Sequence, residues 1–167
     1  MDEEKFLQAT SILKDLDEGE LRQFLRIARP IQVPRGKAIL VEGEAGDTMY
    51  ILKEGVVEVS KTMVLRPGGT ESSSRDKILS KISAEDHAIF GEVALFEQGT
   101  RTATVTAVTN CTLLEISKGD FMSLAAENPR IGYKVTRNIA ELLCSRLRKT
   151  GEDVIKLTTA LSIALSR

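Results

Sequence analysis

Phe90-Gly91-Glu92-Val93-Ala94-Leu95, followed after a short gap by Arg101-Thr102-Ala103-Thr104-Val105, is the stretch on which this chain turns. It sets a glycine turn, one carboxylate, small and apolar residues and one arginine ahead of an alternating strand. A guanidinium offers phosphate oxygens a planar fork of donors and stays charged at any working pH. A carboxylate only accepts hydrogen bonds, so it suits sugar hydroxyls and repels phosphate. Successive N–H groups after Gly91 form an anion-binding concavity if Val93-Ala94-Leu95 begins a helical turn. The combination fits a small ligand that carries both hydroxyls and a phosphate. Residue chemistry alone leaves a plain alternative, a surface salt bridge between Glu92 and Arg101.

The order Phe-Gly-Glu-x-Ala-Leu to Arg-x-Ala resembles the phosphate-binding cassette of cyclic nucleotide-binding domains. Upstream, Glu42-Gly43-Glu44-Ala45-Gly46-Asp47-Thr48-Met49-Tyr50-Ile51 and then Gly55-Val56-Val57-Glu58-Val59 resemble the first strands and turn of the same family. The resemblance runs from about Phe24 to about Leu157 and is closest in kind to the bacterial catabolite-activator type, because a long helix follows the cassette. It implies that Arg101 holds the exocyclic phosphate of a cyclic nucleotide and that Glu92 binds the ribose 2′-hydroxyl. Gly91, Val93, Ala94 and Leu95 match the backbone and small residues that let the cyclic phosphate approach the chain. Thr102 then adds a phosphate bond, although in some cGMP-selective relatives a threonine here also touches guanine. Thr150 matches the threonine that reaches the adenine amino group in the catabolite-activator group. Two departures stand out. Gly151 replaces a frequent hydroxyl residue, and Ser83-Ala84-Glu85-Asp86-His87-Ala88-Ile89 lacks the usual glycines before the cassette.

Composition narrows the remaining classes. The chain has 167 residues, 42% of them hydrophobic and 28% charged, which fits one soluble domain with a core of its own. A net charge of -1 gives no general pull toward nucleic acid or an anionic membrane. Arg146-Leu147-Arg148-Lys149 is a local basic stretch that reads as the solvated face of a helix; Arg146 either approaches the ligand, pairs with Glu92 or faces solvent. No apolar run approaches the roughly 20 residues that span a bilayer. The acidic start Met1-Asp2-Glu3-Glu4 is unlike a signal sequence, and Cys111 and Cys144 have neither metal nor redox spacing. A reduced, cytoplasmic protein with no membrane partner is expected. His87 is the one histidine, expected in an exposed loop; a metal-dependent enzyme on a β-roll of the cupin type would draw on several.

Along the chain, Phe6, Ile12, Leu13, Leu16, Leu21, Phe24, Leu25 and Ile27 recur at helical spacing, broken near Asp17-Glu18-Gly19. Two short helices follow, the second starting near Asp17 or Glu18, and Pro30 and Pro34 close a helical segment over 1–34. From 35 to 117 the pattern becomes one of short strands. Val57, Val59 and Met63 share one face, as do Ala103, Val105 and Ala107, and Gly43, Gly46 and Gly55 mark tight turns that ask for positive φ. Pro67 to Ser74 reads as a hairpin loop between strands that end near Leu65 and begin near Lys77. From 118 to 167 the chain is helical: a short helix capped by Ser117 or Asp120 ends before Pro129, and a long one follows. In that helix Ala140, Leu143, Leu147, Thr150, Val154, Leu157, Leu161 and Ala164 form a coiled-coil seam, within which Gly151 marks a kink or a close approach.

These observations give a mainly β fold with flanking helices. It is an antiparallel, jelly-roll-like β-roll over 35–117 with its cassette at 90–104, short N-terminal helices and a long C-terminal helix. The expected function is a sensor that binds cAMP, or as second choice cGMP, without changing it, and that passes the event to the C-terminal helix. No Ser-His-Asp, Cys-His or metal-ligand constellation is visible, so neither catalysis nor a cofactor is expected. The seam predicts a homodimer, unless the stripe packs on the roll, and an unknown downstream protein. The end at Arg167 leaves too little chain for a helix-turn-helix, so no DNA binding by the segment itself is expected. The alternatives are a degenerate relative serving as an interaction or dimerisation module, a fragment of a transcription factor or signalling enzyme, and a cupin-type enzyme.

Overall fold

The computed structural model of the chain describes residues 3–65, 73–97 and 99–166. Helix α1 spans Glu3–Ala9 and α2 spans Glu18–Leu25. Asp17 starts α2 with a reciprocal cap: its carboxylate accepts from the Glu20 N–H at 2.9 Å, while the Glu20 side chain accepts from the Asp17 N–H at 2.9 Å. Among the described residues eight strands follow: β1 (Arg29–Val33), β2 (Ala38–Leu40), β3 (Thr48–Glu54), β4 (Val56–Leu65), β5 (Ser73–Ser83), β6 (Ile89–Phe90), β7 (Thr104–Ala107) and β8 (Cys111–Ser117). They form two four-stranded sheets, β1-β8-β3-β6 and β2-β7-β4-β5, with every pairing antiparallel. Helices α3 (Lys118–Glu127) and α4 (Pro129–Leu165) complete the chain. The β-roll with flanking helices is as expected.

Strand alternation builds two cores on either side of the first sheet. Met49 and Ile51 of β3, with Leu114 and Ile116 of β8, face the helices and join Leu13, Phe24, Phe121, Ile131 and Val135. Tyr50 and Leu52 of β3, with Cys111 and Leu113 of β8, face the second sheet and join Leu40, Val57, Phe90 and Val105. The period of two thus commits one strand to two layers.

Four expectations need correction. The helical segment stops short of residue 34, because Arg29–Val33 is a strand. As an edge strand β1 tolerates Pro30, whose missing N–H costs no ladder bond when it faces outward. Strand β5 begins at Ser73, opposite Leu65, well before Lys77; residues 67–72 of the expected loop lie outside the described residues. Helix α4 runs unbroken through Gly151, and nothing lies within 4 Å of where a Cβ there would sit. His87 is partly buried, in the left-handed region (φ 47°), with its ring 4.9 Å from that of Phe6.

The first half of α4 is bound to the N-terminal segment. Asn138 Nδ2 donates to the Ile12 carbonyl at 3.2 Å, Arg130 and Lys134 pair with buried Glu20, Arg137 pairs with Asp15, and Lys14 pairs with Glu141. Past Leu143 the apolar residues of the helix are exposed: Leu147 is 73% exposed and Leu157 67%.

Candidate functional site

Strand β6 delivers the chain to Gly91, whose φ of 77° suits a residue without a Cβ. A Cβ there would also fall 2.9 Å from the Thr48 carbonyl oxygen and 3.2 Å from Arg101 Nη1. Residues Glu92–Leu95 then make a single 3₁₀ turn. Glu92, Val93 and Ala94 line a cavity of about 610 Å³, whereas Leu95 is fully buried in the helix-side core and anchors the turn from behind.

Arg101 lies across the floor of this cavity and is only 9% exposed. Its backbone is fixed to the β2–β3 loop: Arg101 N–H donates to the Glu44 carbonyl at 2.8 Å, and Gly43 N–H donates to the Arg101 carbonyl at 2.9 Å. The guanidinium donates through Nη1 to the Thr48 carbonyl at 2.7 Å and through Nη2 to the Thr48 hydroxyl at 2.8 Å. It lies so near Gly46 that a Cβ there would fall 2.4 Å from Nε. Gly46 is therefore needed for close approach; of the three glycines expected at positive φ, Gly43 and Gly55 adopt it and Gly46 does not.

Glu92 is 3% exposed. Its Oε1 accepts from Arg146 Nη1 at 2.6 Å, and Arg146 Nη2 donates to the Ile89 carbonyl at 2.9 Å. Of the alternatives open to Arg146, the pairing with Glu92 is the one adopted. Oε2 of Glu92 is buried and has no hydrogen-bond partner among the described residues. A buried carboxylate oxygen left in this state calls for a donor.

The rest of the cavity divides by chemistry. Leu40 and Val105, with Val59, Leu79 and Ile82 from the β4–β5 hairpin, supply an apolar wall. Arg146, Lys149, Thr150 and Asp153 overhang it from α4 at steps of three and four, one face of the helix. Thr150 lines the cavity while its hydroxyl donates back to the Arg146 carbonyl at 3.0 Å. Thr102 also lines it and is exposed. The structure thus gathers Gly91, Glu92, Val93, Ala94, Arg101, Thr102 and Thr150 around one space, leaving out Leu95. Thr48 and the apolar wall were not apparent from sequence, because strand register brings them there. Among the described residues no cluster of His, Cys, Asp and Glu could hold a metal ion, and no helix is long and apolar enough to cross a membrane.

Residues 30–128 match the family model described as the cyclic nucleotide-binding domain. A CRP-like cAMP-activated global transcriptional regulator of Mycobacterium tuberculosis is 27% identical over 154 residues, covering 92% of this chain and 62% of the regulator. A cAMP-dependent protein kinase regulatory subunit of Dictyostelium discoideum is 32% identical over 121 residues, covering 72% of this chain and 35% of the subunit. Among solved structures, Thermus thermophilus catabolite activator protein superposes with a TM-score of 0.73 at 26% identity, covering 89% of this chain and 63% of that one. The chain spans less than two thirds of the length of these relatives. It belongs to the cyclic nucleotide-binding domain family.

Proposed function

From this membership we propose that the chain is a cytoplasmic regulatory module that binds cAMP in preference to cGMP and couples binding to its C-terminal helix. The observation that carries this reading is the pairing, around one cavity, of a buried carboxylate oxygen that has no donor among the described residues and a buried guanidinium. The first suits a ribose hydroxyl and the second a phosphate. In the proposed complex Arg101 takes the exocyclic phosphate, with N–H groups around Gly91 and the Thr102 hydroxyl adding to it. Glu92 Oε2 accepts from the ribose 2′-hydroxyl, and Val93 and Ala94 let the sugar-phosphate approach the backbone. The base lies on the apolar wall, and Thr150 faces the adenine amino group.

Coupling to α4 follows from Arg146. It joins the ribose-binding carboxylate to the helix through a single ion pair, so ligand at Glu92 alters the helix's hold on the roll. A ligand with different affinities for two helix arrangements then shifts the population between them. The exposed seam beyond Leu143 is the surface for a second copy, and a downstream protein would read the change. The cavity groups are binding groups, and the proposed role changes no bond in the nucleotide.

Calorimetric titration with cAMP and with cGMP, on the wild-type chain and on Arg101→Ala, tests the proposal. Micromolar or tighter binding of cAMP is expected, weaker for cGMP and lost in Arg101→Ala. Absence of heat with both nucleotides at several temperatures would favour an interaction module that binds no nucleotide.

A further inference from the structure

We propose that Thr48, Tyr50 and Glu115 form a one-way hydrogen-bond relay that orients Arg101 toward an incoming phosphate, which makes Thr48 and Tyr50 positioning residues of the ligand site. The inference rests on the cyclic nucleotide reading and adds residues that lie behind the cavity.

A long arginine side chain loses rotamer freedom when it grips a ligand, and holding it beforehand lowers that cost. Thr48 does the holding from two acceptors, its carbonyl and its hydroxyl oxygen. The carbonyl can only accept. The hydroxyl accepts from Arg101 only if its single proton points elsewhere. That proton is directed to the Tyr50 phenol oxygen, 3.0 Å away and two residues along the same strand. Tyr50 in turn donates to Glu115 Oε2 at 3.0 Å. Glu115 stands directly opposite Tyr50 in the β3–β8 ladder, and its other oxygen pairs with Arg29 of β1, again its register partner. A carboxylate has acceptors only, so donation runs in one sense at every link, from Arg101 through Thr48 and Tyr50 to Glu115. Burial, reinforced by the neighbouring carboxylate, pushes the Tyr50 phenol up from its ordinary value, which keeps it a donor.

The relay lies on two strands of the first sheet, β3 and β8, and passes beside the cassette at Tyr50. The Tyr50 ring stacks on that of Phe90 at 5.4 Å, immediately before Gly91. Tyr50→Phe keeps that ring packing and removes only the hydroxyl, so the substitution isolates the hydrogen bonds.

Two readouts test the proposal on the intact chain: cAMP affinity by titration, and the Arg101 Nη–H signals by NMR in the ligand-free protein. Thr48→Val is expected to weaken cAMP about tenfold and Tyr50→Phe about fivefold, the scale of one hydrogen bond to a charged group. The double variant should be no weaker than Thr48→Val alone, and Thr48→Ser should restore affinity to within about twofold. Resolved Arg101 Nη–H signals in the wild type should average together in Thr48→Val and in Tyr50→Phe. Unchanged signals and affinity in Tyr50→Phe, or additive losses in the double variant, would overturn the relay. Failure of the wild type to bind either cyclic nucleotide would instead overturn the binding reading, with the ligand-free signals still deciding whether Tyr50 orients Arg101.

Discussion

Glu92 carries one atom that is satisfied and one that is not, and that division is the most informative fact about any single residue here. Oε1 is held by Arg146 and Oε2 is buried without a donor among the described residues. If Oε2 accepts from the ribose 2′-hydroxyl, removing either member of the pair should cost the same. Glu92→Gln is expected to weaken cAMP about tenfold, since a hydrogen bond to a buried charge contributes about 1.5–3 kcal/mol. Titration with 2′-deoxy-cAMP should show little difference between wild type and Glu92→Gln; an equal tenfold gap there would place Glu92 elsewhere in the complex. Gly91, Glu92 and Arg101 were legible in the sequence because their chemistry suits a ligand with hydroxyls and a phosphate and their order resembles the family's cassette, which residue chemistry alone did not decide. Thr48 was not, because its contact with Arg101 spans 53 residues and depends on where a strand ends. Leu95 was legible as part of the turn, but its side chain serves the core.

The elements show where pattern suffices and where it fails. The start of α2 near Asp17 or Glu18 was readable from the pattern, and the structure adds that Glu20 closes a reciprocal cap with Asp17 and ties α2 to α4 through Arg130 and Lys134. Strand β1 was hidden because Pro30 looks like a helix stop, while an edge position makes it acceptable in a sheet. Burial alone would raise the Glu20 carboxyl, but the Lys134 hydrogen bond and the Asp17 N–H outweigh it and hold it below its ordinary 4.5. A carboxyl lowered on folding stabilises the protein fully above its unfolded value and loses that contribution as pH falls through the folded one. Thermal melts should therefore show the wild type losing stability more steeply than Glu20→Gln as pH drops from about 5 to 3. At neutral pH Glu20→Gln should cost about 2 kcal/mol, as for other hydrogen bonds to charged groups. Parallel acid profiles for the two proteins would show that Glu20 does not clamp the helices.

The whole molecule is a roll whose ligand cavity is overhung by a helix that is half embedded and half free. The embedded half carries the N-terminal segment with it; the free half carries the seam, with Val154 56% and Leu161 59% exposed. Sequence periodicity revealed the seam but left open whether it met the roll or another chain, since both bury the same stripe. In this structure Leu143 packs against the helix-side core and Thr150 lines the cavity, while Leu147, Val154, Leu157 and Leu161 are exposed. The expected outcome is a dimer in sedimentation equilibrium at micromolar concentration that Leu157→Glu converts to monomer, whereas a monomeric wild type would remove the helix-to-helix part of the account. Nucleotide bound between the cassette and α4 is what joins the roll to the helix. Chemical-shift mapping of the labelled chain with cAMP locates it. The largest shifts are expected at 91–94, 101–102 and 146–153. No saturable shifts, or shifts confined to surfaces away from those residues, would mean that this cavity is not the site.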